Sequence, residues 1–259
     1  MISPLAYIHP GAQVAPTAQI DAFAYVDDNT VIGERTHLMP HTTVLNGARI
    51  GADCRLFPGA VVGAIPQDLK YKGEETIAVV GDRCTLRECV TVHRGTASKG
   101  QTVIGSDNLI MAYSHVAHDC ILGSHIIMSN ATQLAGEVEV SDWAIIGGGS
   151  LVHQFVRIGQ HVMIQGGSRV TKDVPPFVLA GREPVSYAGI NSVGLRRRGF
   201  SNDQIVGVQD IYRIIFQQGF NTTHAVQMVE DELPQTAERD LIVDFIKNSP
   251  RGIIKGYDR

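Results

Sequence analysis

Counting in steps of six from Ile8 reaches Val14, Ile20, Val26, Ile32, Leu38, Val44, Ile50, Leu56 and Val62 without a miss. The count resumes at Val80, Leu86 and Val92 and breaks once more. It then runs from Ile104 through Ile110, Val116, Leu122, Met128, Leu134, Val140, Ile146, Val152, Ile158 and Ile164 to Val170. An amphipathic helix needs a period near 3.6 and a half-buried strand a period of 2, so neither alone produces this pattern. A period of six suits a triangular solenoid in which three hexads close one coil of eighteen residues, each hexad a short strand and a turn. The aliphatic residue points to the axis, and the next coil stacks about 4.8 Å away through parallel pairing. Glycine often follows the aliphatic residue, as at Gly33, Gly51, Gly63, Gly81, Gly105, Gly123, Gly147 and Gly159, which suits a corner with little room.

The pattern predicts an all-β solenoid with an α-helical addition. Residues 1–175 form the solenoid, of roughly eight to ten coils, and residues 176–259 a linker and a C-terminal helical domain. The two interruptions, near 63–79 and 93–102, read as loops thrown outward, the usual place for function on such a scaffold. The first carries Asp68, Lys70, Tyr71 and Lys72; the second, HRGTASKGQT, is equally compatible with a solvated loop. After Val170 the Pro- and Gly-rich TKDVPPFVLAGREPVSYAGI reads as a linker. Helical spacing then begins: Ser201 and Gln204 form a capping box, and Ile205, Val208, Ile211, Ile214 and Ile215 share one face. Thr223 to Leu233 and Thr236 to Asn248 make two further amphipathic segments, split by Pro234 and stopped by Pro250 and Gly252.

Composition narrows the function. With 259 residues, 44% of them hydrophobic, the chain can bury a large core. A net charge of −4 with 22 Lys and Arg argues against a general nucleic-acid binder. No leader-like segment and no apolar run long enough to span a membrane is present, so the expected location is the cytoplasm. Cys54, Cys84, Cys89 and Cys120 form no CxxC pair and are expected as small buried residues.

Candidate chemistry concentrates between Asn108 and Phe155, with Ser114, His115, His118, Asp119 and His153. Residues eighteen apart stack, which puts His118, Gly136 and Gln154 in one column and His115, Gln133 and Leu151 in its neighbour. A neutral imidazole can deprotonate a hydroxyl, an adjacent carboxylate can hold its tautomer, and a glycine N–H can receive an oxyanion. Those parts suit acyl transfer to an alcohol, and no GxSxG motif suggests a covalent acyl-enzyme. Zinc held by His115, His118 and His153 is a second reading, and a scaffold merely decorated with histidines a third. Arg196, Arg197 and Arg198 form one basic run, suited to a diphosphate or to a solvated helix start.

Hexapeptide solenoids of this type resemble the left-handed parallel β-helix. The segments IPQDLKYKGE, VTVHRGT, GSDNLIM, HVAHDC, LAGEV, VHQF, KDVPPF and GLRRRGFS, in this order, resemble more narrowly the UDP-N-acetylglucosamine acyltransferases of lipid A biosynthesis. The resemblance implies a homotrimer with sites between subunits and no metal or redox cofactor. It also implies transfer of an (R)-3-hydroxyacyl chain from acyl carrier protein to the glucosamine 3-hydroxyl of UDP-N-acetylglucosamine. By the same resemblance His118 is the general base, Asp119 its partner and Gly136 the oxyanion donor. Asp68, Lys70, His115, His153 and Gln154 would contact the sugar and neighbouring groups. Asn191, Arg197 and Arg198 would lie near the nucleotide, and Gly166 at the position that measures acyl length. Glu137 departs from the family's LAGHV pattern, so the role of that histidine does not transfer. Gln165 and Arg169 replace smaller residues around the acyl-length position. Two rivals follow: an N-acyltransferase acting on an amino sugar in the same pathway, and a non-enzymatic hexapeptide scaffold.

Overall fold

A computed structural model describes residues 1–256. From Tyr7–Ile8 to Arg169–Val170 the chain forms short strands, most of two residues, distributed in turn among three parallel sheets. We call them the first sheet (beginning Tyr7–Ile8), the second (beginning Gln13–Val14) and the third (beginning Gln19–Ile20), of nine, eight and eight strands over this range. Away from the interruptions each strand pairs eighteen residues on, as in Tyr7 with Tyr25 and His115 with Gln133. This is the coil predicted from the period of six.

The inward aliphatic residues are almost completely buried from Ile20 to Val170. Ile8 and Val14, in the first coil, are only partly covered. A second buried column, two residues before each aliphatic one, holds mostly small side chains: Thr30, Thr36, Thr42, Cys54, Cys84, Ser114, Cys120, Thr132 and Ser150 among them. It explains three of the four cysteines. Cys89 is the correction: it is exposed, because it lies one position earlier, at a corner with φ 56°.

The corners also refine the role expected for glycine. Left-handed φ falls three residues after the aliphatic position, usually on a non-glycine residue such as Phe23, Tyr113, Asp119, Glu137 or Trp143. The glycines directly after the aliphatic residue answer a different need. A Cβ at Gly33 would come within 2.5 Å of the Gly51 backbone, and one at Gly105 within 2.6 Å of Gly123 O. Coil-to-coil approach, not handedness of the turn, excludes a side chain there.

Both interruptions leave from the same corner, between the first and second sheets, on successive coils. Val62 pairs with Val92, thirty residues on, so the first adds twelve residues to a coil. Val92 pairs with Val116, twenty-four on, so the second adds six.

The segment expected as a linker contains structure. Val178–Gly181 continues the third sheet beside Met163–Ile164, and Ser186–Ile190 returns antiparallel to it. Helices α1 (Ser192–Arg197), α2 (Asn202–Gln217), α3 (Thr222–Glu232) and α4 (Ala237–Lys247) follow. The capping box at Ser201 and Gln204 is formed, and Ile205, Val208, Ile211, Tyr212, Ile214 and Ile215 make the buried face of α2. Tyr212 fastens this helix to the solenoid by donating to Pro176 O at 2.5 Å.

Candidate active site

His118, Gly136 and Gln154 occupy the corner from which both loops depart, on the three coils that follow them. They line one cleft of about 400 Å³ with Gln67, His93, His115, Gln133 and Leu151. The stacking column expected from the count of eighteen is therefore present, and the first loop leans over it.

The local turn makes the central pair. Asp119 has φ 59°, a conformation that aspartate tolerates better than most residues. That reversal brings its carboxylate back to the preceding ring, where Oδ2 lies 2.8 Å from His118 Nδ1. Asp119 is fully buried and entirely satisfied. Its Oδ2 also accepts the Thr96 hydroxyl at 2.6 Å, and its Oδ1 accepts the N–H groups of Thr96 at 2.9 Å and Lys99 at 3.2 Å. Burial by itself would raise its pKa, but the bonds from Thr96 and His118 outweigh it and hold the carboxyl below its ordinary value. An ionised carboxylate can only accept, so the His118 Nδ1 that meets it is the donor of that bond. Nε2 is left facing the cleft.

Nε2 lies against Gly136. A Cβ on that residue would stand 2.5 Å from both Cε1 and Nε2 of His118, so the ring occupies the space that glycine alone leaves. Asp68, from the first loop, puts its Oδ2 4.0 Å from the same Nε2. The arrangement offers a proton acceptor, a backbone surface beside it and a second carboxylate in reach.

The remaining expected residues divide by position. His115 joins the cleft, its Nδ1 2.7 Å from Thr91 Oγ1 and its ring edge-on to His93 at 4.6 Å. Burial lowers its proton affinity. His153 is exposed and turned outward, 3.3 Å from Arg251 Nη2, so His115, His118 and His153 do not assemble as ligands within one chain. Lys70 is exposed on the first loop and outside the cleft. Arg198 stands at another corner, between the second and third sheets, 3.3 Å from His161 Nδ1 and 5.3 Å over the Trp143 ring. Arg197 is exposed at the end of α1. Asn191 caps that helix, accepting from Gly194 N–H and donating to His161 O. Gly166 lies at the third corner, between the third and first sheets, and is exposed. One chain therefore distributes the expected base, nucleotide and acyl-length positions over three different corners.

Sequence reasoning passed over Thr96, the Lys99 N–H and His93. His93 is buried, with its Nδ1 unpartnered among the described residues, and burial followed by the neighbouring His115 and His118 pushes its pKa down to about 4. All three belong to the coil where the count of eighteen fails. A count of twenty-four across the second interruption pairs Thr91 with His115 and would have brought His93 beside the site.

Comparison with known proteins decides the family. Residues 173–254 match the domain described as UDP N-acetylglucosamine O-acyltransferase, domain 2. A curated relative from Burkholderia lata, an acyl-[acyl-carrier-protein]–UDP-N-acetylglucosamine O-acyltransferase, is 44% identical over 98% of this chain and 99% of its own length. The chain belongs to the UDP-N-acetylglucosamine acyltransferase family. Solved acyltransferases of this family agree in three dimensions. One from Bacteroides fragilis is 54% identical, with a TM-score of 0.97 over 98% of this chain and all of its own. One from Acinetobacter baumannii is 40% identical, with a TM-score of 0.95 over 98% and 99% of the two chains. The solenoid is accordingly the left-handed β-helix of these acyltransferases, with helices at its C-terminal end. Among the described residues no helix is long and apolar enough to cross a membrane.

Proposed function

We propose that this chain is the O-acyltransferase of lipid A biosynthesis that moves an (R)-3-hydroxyacyl group from acyl carrier protein to the glucosamine 3-hydroxyl of UDP-N-acetylglucosamine. Family membership supports the reaction class. The observation that carries the mechanism is the His118 ring, held on Nδ1 by Asp119 at 2.8 Å and packed on Gly136 within the cleft.

His118 Nε2 takes the proton of the sugar hydroxyl as its oxygen bonds to the thioester carbonyl carbon. The carbonyl π electrons move onto oxygen, and the Gly136 N–H receives that charge. Collapse of the tetrahedral intermediate breaks the carbon–sulfur bond, and the imidazolium returns its proton to the departing carrier thiolate. Asp119 stabilises the imidazolium between these two transfers. Asp68, Lys70, His115, His153 and Gln154 act as substrate contacts around the cleft, and Arg197 and Arg198 as partners of the diphosphate. Asn191, which accepts from Gly194 N–H and donates to His161 O, fixes α1 beside Arg197 and belongs to the nucleotide side of the site.

The resemblance also implies a homotrimer, and the geometry of one chain is compatible with it. Base, arginines and acyl-length glycine stand at different corners of one prism, and a homotrimer packed side by side brings a corner of one chain to another corner of its neighbour. We place the complete site in that cleft, and the protein in the cytoplasm, where acyl carrier protein is charged.

The test is mass spectrometry of the product from UDP-N-acetylglucosamine and a mixture of 3-hydroxyacyl carrier proteins. One O-linked acyl chain on the nucleotide sugar is expected, and His118→Ala should reduce its formation by about 10² to 10⁴. Acylation of an amino-sugar acceptor alone would replace this reading with the N-acyltransferase. Undiminished transfer by His118→Ala would remove the mechanism.

A further inference from the structure

The second interruption has no place in the aliphatic repeat, yet both its ends are built around one residue. At its start Thr96 donates its hydroxyl to Asp119 Oδ2 and its N–H to Oδ1. Its middle adds the Lys99 N–H to Oδ1, and at its end Thr102 Oγ1 accepts the Asp119 N–H at 2.8 Å. Six residues more than a hexad requires thus make a cradle for a single carboxylate.

Within the cradle the Thr96 hydroxyl is the distinctive part. The two N–H donors hold Oδ1, the oxygen turned away from the imidazole. The hydroxyl holds Oδ2, the oxygen that meets His118 Nδ1. Ser98 N–H, 3.2 Å from Thr96 Oγ1, occupies the acceptor side of that hydroxyl and leaves its proton for the carboxylate. A 2.6 Å bond from a hydroxyl to an ionised oxygen is of the short, strong kind. Neutral imidazole in water favours the proton on Nε2, and in a protein the tautomer is set by what the other nitrogen meets. With the proton on Nε2 the ring cannot accept one from substrate.

We propose that Thr96 is the positioning residue of this site: its hydroxyl aims Asp119 Oδ2 at His118, so that the ring keeps its proton on Nδ1 and presents a bare Nε2. The reaction it serves rests on the acyl-transfer reading; the tautomer it sets does not. The other charged or titratable groups around the ring leave this role to the hydroxyl. Asp68 approaches Nε2, not Nδ1. His93 and His115 lie edge to face with each other, and the Lys99 ammonium is directed to Glu139 at 3.3 Å.

The experiment combines ring ¹⁵N spectra of His118 in the trimer or whole chain, taken above its titration, with steady-state kinetics. The unaltered chain should show the Nδ1–H tautomer. Thr96→Val, which keeps the shape and removes the hydroxyl, should shift the ring toward Nε2–H and lower kcat by about 10- to 100-fold with KM for the nucleotide sugar little changed. Thr96→Ser should restore both. An Nε2–H ring in the unaltered chain overturns the proposal, even where the valine variant does not fold. So does a valine variant with an unchanged tautomer, or a serine variant as impaired as valine. A chain that transfers no acyl group but shows the Nδ1–H ring, lost in valine and regained in serine, supports the role of Thr96 and counts against the assigned reaction alone.

Discussion

Gly136 shows at the scale of one residue why the site tolerates so little change. A methyl group there would enter the His118 ring, and the neighbours of that ring leave it few places to go, since Asp119 holds Nδ1. Gly136→Ala should therefore reduce kcat by about 10² or more while the melting temperature moves little, because the change falls on a corner and not on the aliphatic axis. Proton linkage gives a second residue-scale expectation. His93 and His161 titrate near 4 in the folded chain, in each case chiefly because of burial, against 6.5 when exposed. Between those values the unfolded chain binds more protons, so stability falls as the pH drops from about 6.5 toward 4. Urea midpoints measured across that window should decrease, and His93→Gln should flatten the slope. His118 and Gly136 were legible because they obey the count of eighteen, and Asp119 because it adjoins His118. The sequence concealed His93 and Thr96 because an insertion of unknown length separates them from the residues they touch.

At the scale of elements the hexad was legible almost strand by strand, since one aliphatic side chain per turn is required wherever a coil closes. The strands Val178–Gly181 and Ser186–Ile190 were not, because their backbone pairing is imposed by the edge of the third sheet and carries no period of its own. The amphipathic helices were legible from caps and spacing, and α1 was hidden in a basic run whose only strong signal is the Asn191 cap. Polar clamps between coils also escaped the pattern. Asn108, on the buried column lined mostly by small residues, donates to Gly105 O and Gly123 O at 2.9 Å each and accepts from Ile126 N–H at 2.6 Å. Asn108→Ala leaves two carbonyls and an N–H of successive coils without it, and should destabilise the fold by about 2–3 kcal/mol in reversible denaturant unfolding.

For the whole molecule the distribution of expected site residues over three corners is the informative fact. A monomer offers the His118 cleft to solvent, with Arg198 and Gly166 at the other corners of the same prism. Light scattering coupled to size exclusion should give three copies at working concentration. Mixing His118→Ala chains with chains altered at Arg197 and Arg198 should recover part of the activity that either variant lacks, if neighbouring chains share a site. A strictly monomeric active enzyme would contradict that assembly.

The two insertions, of twelve and six residues, carry one more consequence. Each is a whole number of hexads, so the chain leaves the prism and re-enters it in phase, as a reading frame survives an insertion of whole codons. Together they amount to one complete coil, which is why a ruler of eighteen laid from Ile8 still finds Val116 on the correct wall after both detours. A one-residue deletion inside a regular coil would act as a frameshift in space, turning the aliphatic side chains that follow it off the axis. New loops grafted at this corner should be accepted most readily when their length is a multiple of six.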